Sequence, residues 1–256
     1  RAINTATQIL VSSPDIQQVL DKTLRPMITV LGFDRALIML YSEQTQSLDY
    51  LYGVGGVFDD MTRIKDYRIP VTKDDNLVVK VFKQREPVII PDAIAAGLNP
   101  ANRILHDYQP GPFVACPMFA EDRIIGILGV DRRDRNHPPT QSDAEYLSIF
   151  ANNIAAAINL KRSYEGAISA LVKAIEVNDT YTRGHSERVS KISVEMASFM
   201  GYEKSRIDVV RFGCILHDVG KIGHASFLEL RKVGALTPEE YQHIKEHPVR
   251  GEEILK

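Results

Sequence analysis

Three histidines, one aspartate and one lysine are the residues of this chain best suited to chemistry. His217 and Asp218 are adjacent, Lys221 follows shortly after them, and His185 and His247 lie on neighbouring helical segments on either side. Imidazole suits Fe, Mn, Zn or Ni, and a carboxylate adds hard-oxygen character that favours Mn or Fe. A lysine can neutralise a phosphate oxygen or the charge that develops on a leaving group. These residue types therefore suit a transition-metal site that acts on phosphate.

The spacing of the central residues limits how they can share an ion. On a helix His217 and Asp218 point about 100° apart, because each turn takes about 3.6 residues. His217 and Asp218 could therefore bind the same single ion only at the edge of the helix. A pair of ions could share the site more easily, with the carboxylate between them. Lys221 shares their helical face if the helix continues. Gly220 either leaves room for a ligand or ends the helix.

Each of these residues also has an ordinary structural interpretation. An adjacent histidine and aspartate are common, His185 could be a surface residue, and His247 could simply precede a helix break. Their occurrence together in one all-helical segment, with Lys221 added, favours the site. We interpret His224 as a solvated loop histidine and Cys214 as a buried apolar cysteine, rather than as further ligands.

The bulk properties indicate two domains and exclude several function classes. The chain has 256 residues and a formal net charge of −2, which gives no overall attraction to nucleic acid or to an anionic membrane. Its apolar runs are far too short to span a bilayer. Cys116 and Cys214 lie within apolar segments, so we expect no disulfide framework and a cytoplasmic location. The chain starts and stops inside helical patterns, so we expect a piece of a longer protein.

The first half alternates between helix and strand patterns. Apolar residues with a period near 3.6 predict a helix that covers 16–28, and a second helix is expected at 77–83. Residues 120–123 are typical of a hairpin turn. Strands are predicted at 35–41, 48–54, 68–71, 88–90, 113–119 and 124–131. Strands and helices interleaved at these lengths favour an antiparallel sheet with helices packed on it.

The second half has no convincing strand and begins with one long helix. Thr140 is a suitable N-cap for it, with Asp143 where a carboxylate favours the helix dipole. Spacings of three and four residues then indicate a coiled-coil seam with one charged interruption, made of Leu147, Phe150, Ile154, Ala157, Lys161, Tyr164, Ile168, Leu171 and Ile175. The seam favours a homodimer through this helix, and the alternative is a helix packed on its own domain. Further helices are predicted at 187–200, at 205–219 and from Thr237 onwards.

Four stretches of the second half match a known family in order and spacing. They surround His185, the His217-Asp218 doublet with Lys221, the segment 234–240 and His247. The part of the chain from about 167 to 256 therefore resembles the HD superfamily of metal-dependent phosphohydrolases. Within that superfamily it is most similar to the HD-GYP group of bacterial cyclic di-GMP phosphodiesterases.

The resemblance implies a role for each matched residue. His185, His217, Asp218 and His247 would be metal ligands, Lys221 would contact phosphate, and Asp218 and Lys221 would be the catalytic residues. In this family, hydroxide held by the metal centre attacks a phosphodiester and gives linear di-GMP or GMP. Some members carry a glutamate that helps to hold a third metal, where this chain has Tyr181. We therefore expect two divalent transition ions, with Fe or Mn favoured.

The chain departs from the family pattern in two places. The family usually continues from Gly223 with Ile-Pro-Asp, where this chain has His224-Ala225-Ser226. The family's later histidine pair, its final aspartate ligand and its Gly-Tyr-Pro segment do not occur in this sequence. We therefore expect an incomplete HD domain, and an inactive fragment if the remainder is absent from the molecule.

Residues 1 to about 160 resemble a GAF domain. The similar stretches are 31–36, 85–92, 114–118, 125–131 and 151–158. GAF domains bind cyclic nucleotides, tetrapyrroles or other small molecules, and some bind nothing. A ligand pocket over the sheet is expected beside 93–108. Cys116 could attach a chromophore or act as a redox thiol, but its position within a strand favours a core residue.

Together these patterns predict an α+β protein. A GAF sensory domain at 1–162 is joined by a long helix to an incomplete, all-α HD-type domain at 163–256. The predicted function is hydrolysis of cyclic di-GMP, regulated by an unknown small ligand of the GAF domain, in a cytoplasmic homodimer that binds no nucleic acid and spans no membrane. The alternatives are an HD phosphohydrolase acting on another nucleotide and a catalytically degenerate regulatory or interaction module.

Overall fold

The computed structural model describes residues 16–59, 66–72, 76–92, 96, 111–178, 184–222, 234–235 and 237–256. The chain divides into two compact units, Arg1–Lys161 and Arg162–Lys256. The helical pattern at the start of the chain, the pocket wall expected at 93–108 apart from Ala96, and His224 lie outside the described residues.

The first unit is built on a six-stranded sheet. Its strands are β1 (Arg35–Ser42), β2 (Ser47–Val54), β3 (Arg68–Pro70), β4 (Val88–Ile90), β5 (Phe113–Ala120) and β6 (Arg123–Asp131). They lie in the order β3-β2-β1-β6-β5-β4, and neighbouring strands are antiparallel. The predicted antiparallel sheet is confirmed, and every strand begins and ends within one residue of its predicted position.

Helices cover both faces of this sheet, because successive side chains of a strand point to opposite faces. One face packs against α1 (Ile16–Leu31) and the first part of α3 (Gln141–Asn178), and it buries Ile38, Cys116 and Leu128. The other face carries Met39, Ala115 and Ile127 and packs against α2 (Leu77–Gln84). Apolar residues therefore occupy both alternating positions in the central strands.

Helix α3 begins at the predicted cap. The Asp143 backbone N–H donates to Thr140 Oγ1 at 3.3 Å, and the Thr140 N–H donates to the Asp143 carboxylate at 2.8 Å. The prediction of a coiled-coil seam is wrong for the first part of this helix. Leu147 and Ile154 are each 1% exposed, and Ala157 is buried as well. These residues face the sheet, so here the alternative interpretation, a helix packed on its own domain, is right.

Every described element of the second unit is helical. After the end of α3 come α4 (His185–Phe199), α5 (Lys204–Leu216), a 3₁₀ turn (Val219–Lys221), α6 (Pro238–Lys245) and α7 (His247–Leu255). Helix α6 begins with a capping box in which the Thr237 side chain and Glu240 satisfy each other's backbone N–H groups. None of the described helices combines the length and apolarity that a membrane crossing requires.

The environment of Cys116 makes a prediction about its reactivity. Burial raises the pKa of its thiol to about 11, although Ser148 donates a hydrogen bond to the sulfur. Because the thiolate is the reactive form, we expect an alkylating reagent at pH 8 to label the partly exposed Cys214 in the folded chain and to label Cys116 only after unfolding. Mass spectrometry of the labelled Cys214→Ser variant tests this, with the denatured variant as the control. Rapid labelling of Cys116 in the folded variant would contradict the core assignment.

Candidate metal centre

Helix α5 ends just before the two central residues of the candidate site. His217 caps the helix with φ −57° and ψ −27°, whereas Asp218 has φ −96° and ψ 5° and leaves the helical path. The following residues form the 3₁₀ turn. The helix predicted at 205–219 is therefore confirmed as far as Leu216, but its predicted end at 219 is wrong. The helix does not continue, so Lys221 does not share a helical face with His217 and Asp218. The tighter turn instead brings Lys221 Nζ to 2.8 Å from Asp218 Oδ2.

The carboxylate of Asp218 is the centre of the group. Asp218 is 7% exposed, and its charge is compensated by Lys221. His217 Nε2 lies 3.4 Å from Asp218 Oδ2, and His247 Nε2 lies 3.6 Å from Asp218 Oδ1. Two ligand atoms that are each about 2.1 Å from one ion, and about 100° apart, are about 3.2 Å from each other. Both nitrogen–oxygen distances are therefore close to those of atoms that share an ion.

Backbone carbonyls orient two of the imidazole rings. His217 Nδ1 is 2.7 Å from the Cys214 carbonyl oxygen, and His247 Nδ1 is 2.7 Å from the Ile244 carbonyl oxygen. A carbonyl only accepts, so Nδ1 is the donor in both rings. In the neutral ring Nε2 then carries the lone pair that a metal needs. Cys214 contributes to the site through this carbonyl.

His185 joins the group from the start of α4. One ligand atom each from His185, His217 and Asp218 lies within 4.8 Å of the others. The two rings are 5.4 Å apart between centroids and meet edge to face at 60°. The structure thus brings together the residues singled out from the sequence. His247 joins the group because its Nε2 lies 3.6 Å from Asp218 Oδ1. Their roles as ligands stay a prediction.

A carboxylate from α3 holds the segment that carries His185. Glu176 accepts hydrogen bonds from the backbone N–H of Gly184 at 2.7 Å and from that of Ser186 at 3.1 Å. Burial by itself would raise the pKa of Glu176, but these two bonds, the Ser186 side chain and the charge of His185 bring it below its usual value. Sequence reasoning missed Glu176. The available signal was a carboxylate in the last turn of a helix, where it opposes the helix dipole and needs a partner.

Gly220 allows α7 to approach the 3₁₀ turn. A Cβ atom at this position would collide with the carbonyl oxygen of His247 and with the backbone nitrogen of Gly251. Gly251 is itself buried in the first turns of α7. The glycine is therefore required for backbone contact, which is a different reason from the two considered in the sequence. This contact sets His247 beside Asp218.

The donor set fits a divalent transition metal. Imidazole nitrogens suit such ions, and a carboxylate oxygen adds the harder character that Mn and Fe favour. The two oriented rings offer Nε2 on the side of Asp218, and Asp218 is buried enough to be shielded from bulk water. A site of this composition can hold cations and can attract phosphate through Lys221.

Comparison with known proteins assigns both units to families. The family model of the GAF domain matches residues 15–158, and that of the HD domain matches residues 182–256. The GAF model matches more than half of the chain, so the chain belongs to the GAF domain family, and an HD domain follows. The predicted order of a GAF domain and then an HD domain, and the predicted α+β class, are confirmed.

Phosphodiesterases are among the relatives of the chain. The chain is 40% identical over 80 residues to a cyclic di-GMP phosphodiesterase of Thermotoga maritima. The aligned residues make up 31% of this chain and 22% of the relative. The chain is 29% identical over 109 residues to the 3'3'-cGAMP-specific phosphodiesterase 2 of Vibrio cholerae, which covers 43% of this chain and 21% of the relative. The chain thus spans about a fifth of the length of each of these relatives.

A solved structure supports the fold of the first unit. The GAF domain of a phosphoenolpyruvate-protein phosphotransferase from Coxiella burnetii matches with a TM-score of 0.54 and 18% identity, over 64% of this chain and 95% of that chain. At this identity the likeness concerns the fold alone.

The assembled donors predict the effect of removing them. We expect His217→Ala and Asp218→Asn each to weaken Mn²⁺ binding by more than about 10-fold, because loss of a ligand is at least as harmful as loss of its supporting partner. Titration followed by electron paramagnetic resonance (EPR) measures free Mn²⁺ directly. The matched control is His137→Ala, which removes an exposed histidine paired with Asp134. Equal affinity in all three variants would contradict a metal site at Asp218.

Proposed function

We propose that this chain is the sensory and metal-binding part of a phosphodiesterase that hydrolyses cyclic di-GMP. The convergence of His185, His217 and Asp218 within 4.8 Å carries the proposal. The HD domain match and the cyclic dinucleotide phosphodiesterases among its relatives support a phosphohydrolase. The functional division is a GAF domain at 1–162 and a metal-dependent domain at 163–256, working in the cytoplasm.

The side chains divide the catalytic work between them. A divalent Fe or Mn ion bound here would supply positive charge and a water molecule of lowered pKa. His185, His217, Asp218 and His247 are the residues that would hold it. Lys221 sets its ammonium group beside Asp218, where it can neutralise a phosphate oxygen and the charge that develops on the leaving oxygen. Asp218 holds Lys221 in place through this contact.

The two oxygens of Asp218 support the proposal that the centre would hold two ions. The oxygens of Asp218 face different imidazoles, with Oδ2 towards His217 and Oδ1 towards His247. Asp218 would help to hold both ions, and a pair of cations would supply the positive charge that stabilises the attacking and the leaving oxygen of a phosphodiester. His185 would help to hold the ions as well, since one of its ligand atoms lies within 4.8 Å of those of His217 and Asp218.

Replacing Lys221 tests the proposed reaction. We expect Lys221→Gln, in the Mn²⁺-loaded protein with a complete HD domain, to slow hydrolysis of cyclic di-GMP about 100-fold, because a charge that stabilises the transition state is lost. Mn²⁺ affinity should change little, since lysine is not a ligand. Chromatography of the linear product measures the rate, and Lys191→Gln, on the exposed surface of α4, is the control.

The choice of nucleotide separates the candidate substrates. Faster hydrolysis of 3'3'-cGAMP than of cyclic di-GMP would favour the substrate named for the Vibrio cholerae relative. A protein with a complete HD domain that binds Mn²⁺ and hydrolyses another phosphorylated nucleotide, but neither dinucleotide, would overturn the proposed substrate class.

The sensory half and the dimer complete the proposed function. A small ligand of the GAF domain would alter the long helix α3, and two copies would pair through that helix. Leu160, Tyr164 and Leu171 are exposed on α3 at spacings of four and seven residues, and are 50%, 67% and 36% exposed respectively. Apolar residues at this spacing form one face of a helix and are typical of a coiled-coil seam. A second copy presents the same face.

A charge on this face should prevent pairing. We expect Leu160→Glu to convert a dimer into a monomer, because the two introduced carboxylates would lie close together in the seam. Size-exclusion chromatography with light scattering gives the mass. Arg162→Glu introduces the same side chain on the opposite side of α3 and should leave the mass unchanged. A monomeric parent chain, or a Leu160→Glu dimer, would refute pairing through this face.

A further inference from the structure

Glu176 grips the residues on both sides of the first histidine of the site. Its Oε2 accepts from the Gly184 N–H and its Oε1 from the Ser186 N–H, so His185 lies between the two anchored amides. Glu176 belongs to α3 and His185 begins α4. The contact therefore joins two helices at the point where a candidate ligand enters.

The start of α4 depends on an acceptor from another element. The first amides of a helix have no intrahelical partner, and the N-cap residue Gly184 makes no side-chain cap hydrogen bond. The two carboxylate oxygens of Glu176 accept hydrogen bonds from the Gly184 and Ser186 amides. They also place a negative charge at the positive end of the α4 dipole. The same carboxylate lies in the last turn of α3, where the dipole of α3 disfavours a negative charge. Its position beside the positive end of α4 offsets this unfavourable interaction.

The anchored segment must be placed accurately for His185 to share an ion. Gly184 has φ +66°, a conformation that favours glycine, and Ser186 is 3% exposed. Because the amides of Gly184 and Ser186 are both held by Glu176, the backbone that carries the His185 ring has little freedom to move. Metal and catalytic side chains need a placement within about 0.5 Å, which supporting hydrogen bonds provide.

We propose that Glu176 is a positioning residue of the metal centre, which fixes His185 at coordination distance from His217 and Asp218 by holding the amides of Gly184 and Ser186. This role rests on the proposed metal centre. Glu176 touches neither substrate nor ion, and it acts through the backbone. Because it lies on α3, the long helix also reaches the site through this carboxylate.

The test compares two glutamates at the same helix end. Glu176→Gln keeps the shape of the side chain, but its amide nitrogen cannot accept a hydrogen bond, so one anchored amide loses its partner. Glu187→Gln removes an equal charge from the exposed first turn of α4, where it serves as the matched control. Glu176→Asp keeps the charge and shortens the reach.

Mn²⁺ binding to the folded chain is the main measurement. We expect Glu176→Gln to weaken it 10- to 100-fold, the usual effect of losing a partner that orients a ligand, with Glu176→Asp in between and Glu187→Gln within about twofold of the parent. Pulsed EPR of bound Mn²⁺ should show the nitrogen modulation of one imidazole fewer in Glu176→Gln. Amide hydrogen exchange at Gly184 and Ser186 should accelerate in the same variant.

Each contrary result has a distinct meaning. A parent chain that binds no Mn²⁺, or binds it equally after His217→Ala, refutes the metal centre and this role with it. A parent that binds Mn²⁺ normally, with unchanged affinity and imidazole count in Glu176→Gln, refutes the positioning role alone. Circular dichroism that shows both Glu176 variants unfolded would make Glu176 a purely structural cap and would also overturn the proposal.

Discussion

A buried carboxylate sets the requirements that the second unit must meet. Taking the charge of Asp218 out of water costs several kcal/mol unless partners compensate it. Lys221 at 2.8 Å provides an opposite charge, and two imidazole nitrogens lie within 3.6 Å. The end of α5, the 3₁₀ turn and the start of α7 are the elements that bring these nitrogens to one carboxylate. The local fold of this unit is therefore closely tied to the surroundings of a single side chain.

The sheet of the first unit was predictable from the sequence because its signals agree. Strands β5 and β6 are apolar at both alternating positions, and the residues between them favour a turn, so pattern and turn chemistry indicate the same boundaries. The long helix was harder to interpret. A helix that covers a sheet and a helix in a coiled coil both repeat apolar residues every three or four positions. Only the sheet beneath Leu147 and Ile154 distinguishes the two.

The sequence predicted which residues form most of the candidate site, but it did not predict how they are arranged. Residue types indicated the histidines, Asp218 and Lys221, whereas the helix ending at Leu216 was missed because the sequence around it is compatible with a continued helix. Glu176 was missed for a different reason. Its place in the last turn of a helix signals that it needs a partner, but its partners are backbone amides, which almost every residue possesses, so the sequence does not identify them. Contacts of this kind become visible only when the two helix ends are placed together.

Helix α3 serves two environments along its length. Its early turns bury apolar residues in the GAF core, its middle turns expose Leu160 and Tyr164, and its last turn directs Glu176 to the start of α4. The same helix therefore contributes to the core of the first unit and supports the segment that carries His185.

The contact at Gly220 has a consequence for how distant relatives of this chain should be sorted. Substituting even alanine there would push the backbone around His247 away, because the space is already filled by main-chain atoms of α7. A homologue could retain every histidine and the aspartate and still lose their convergence. Inspecting that single small residue would therefore separate functional lineages from decayed ones more reliably than counting the conspicuous polar side chains.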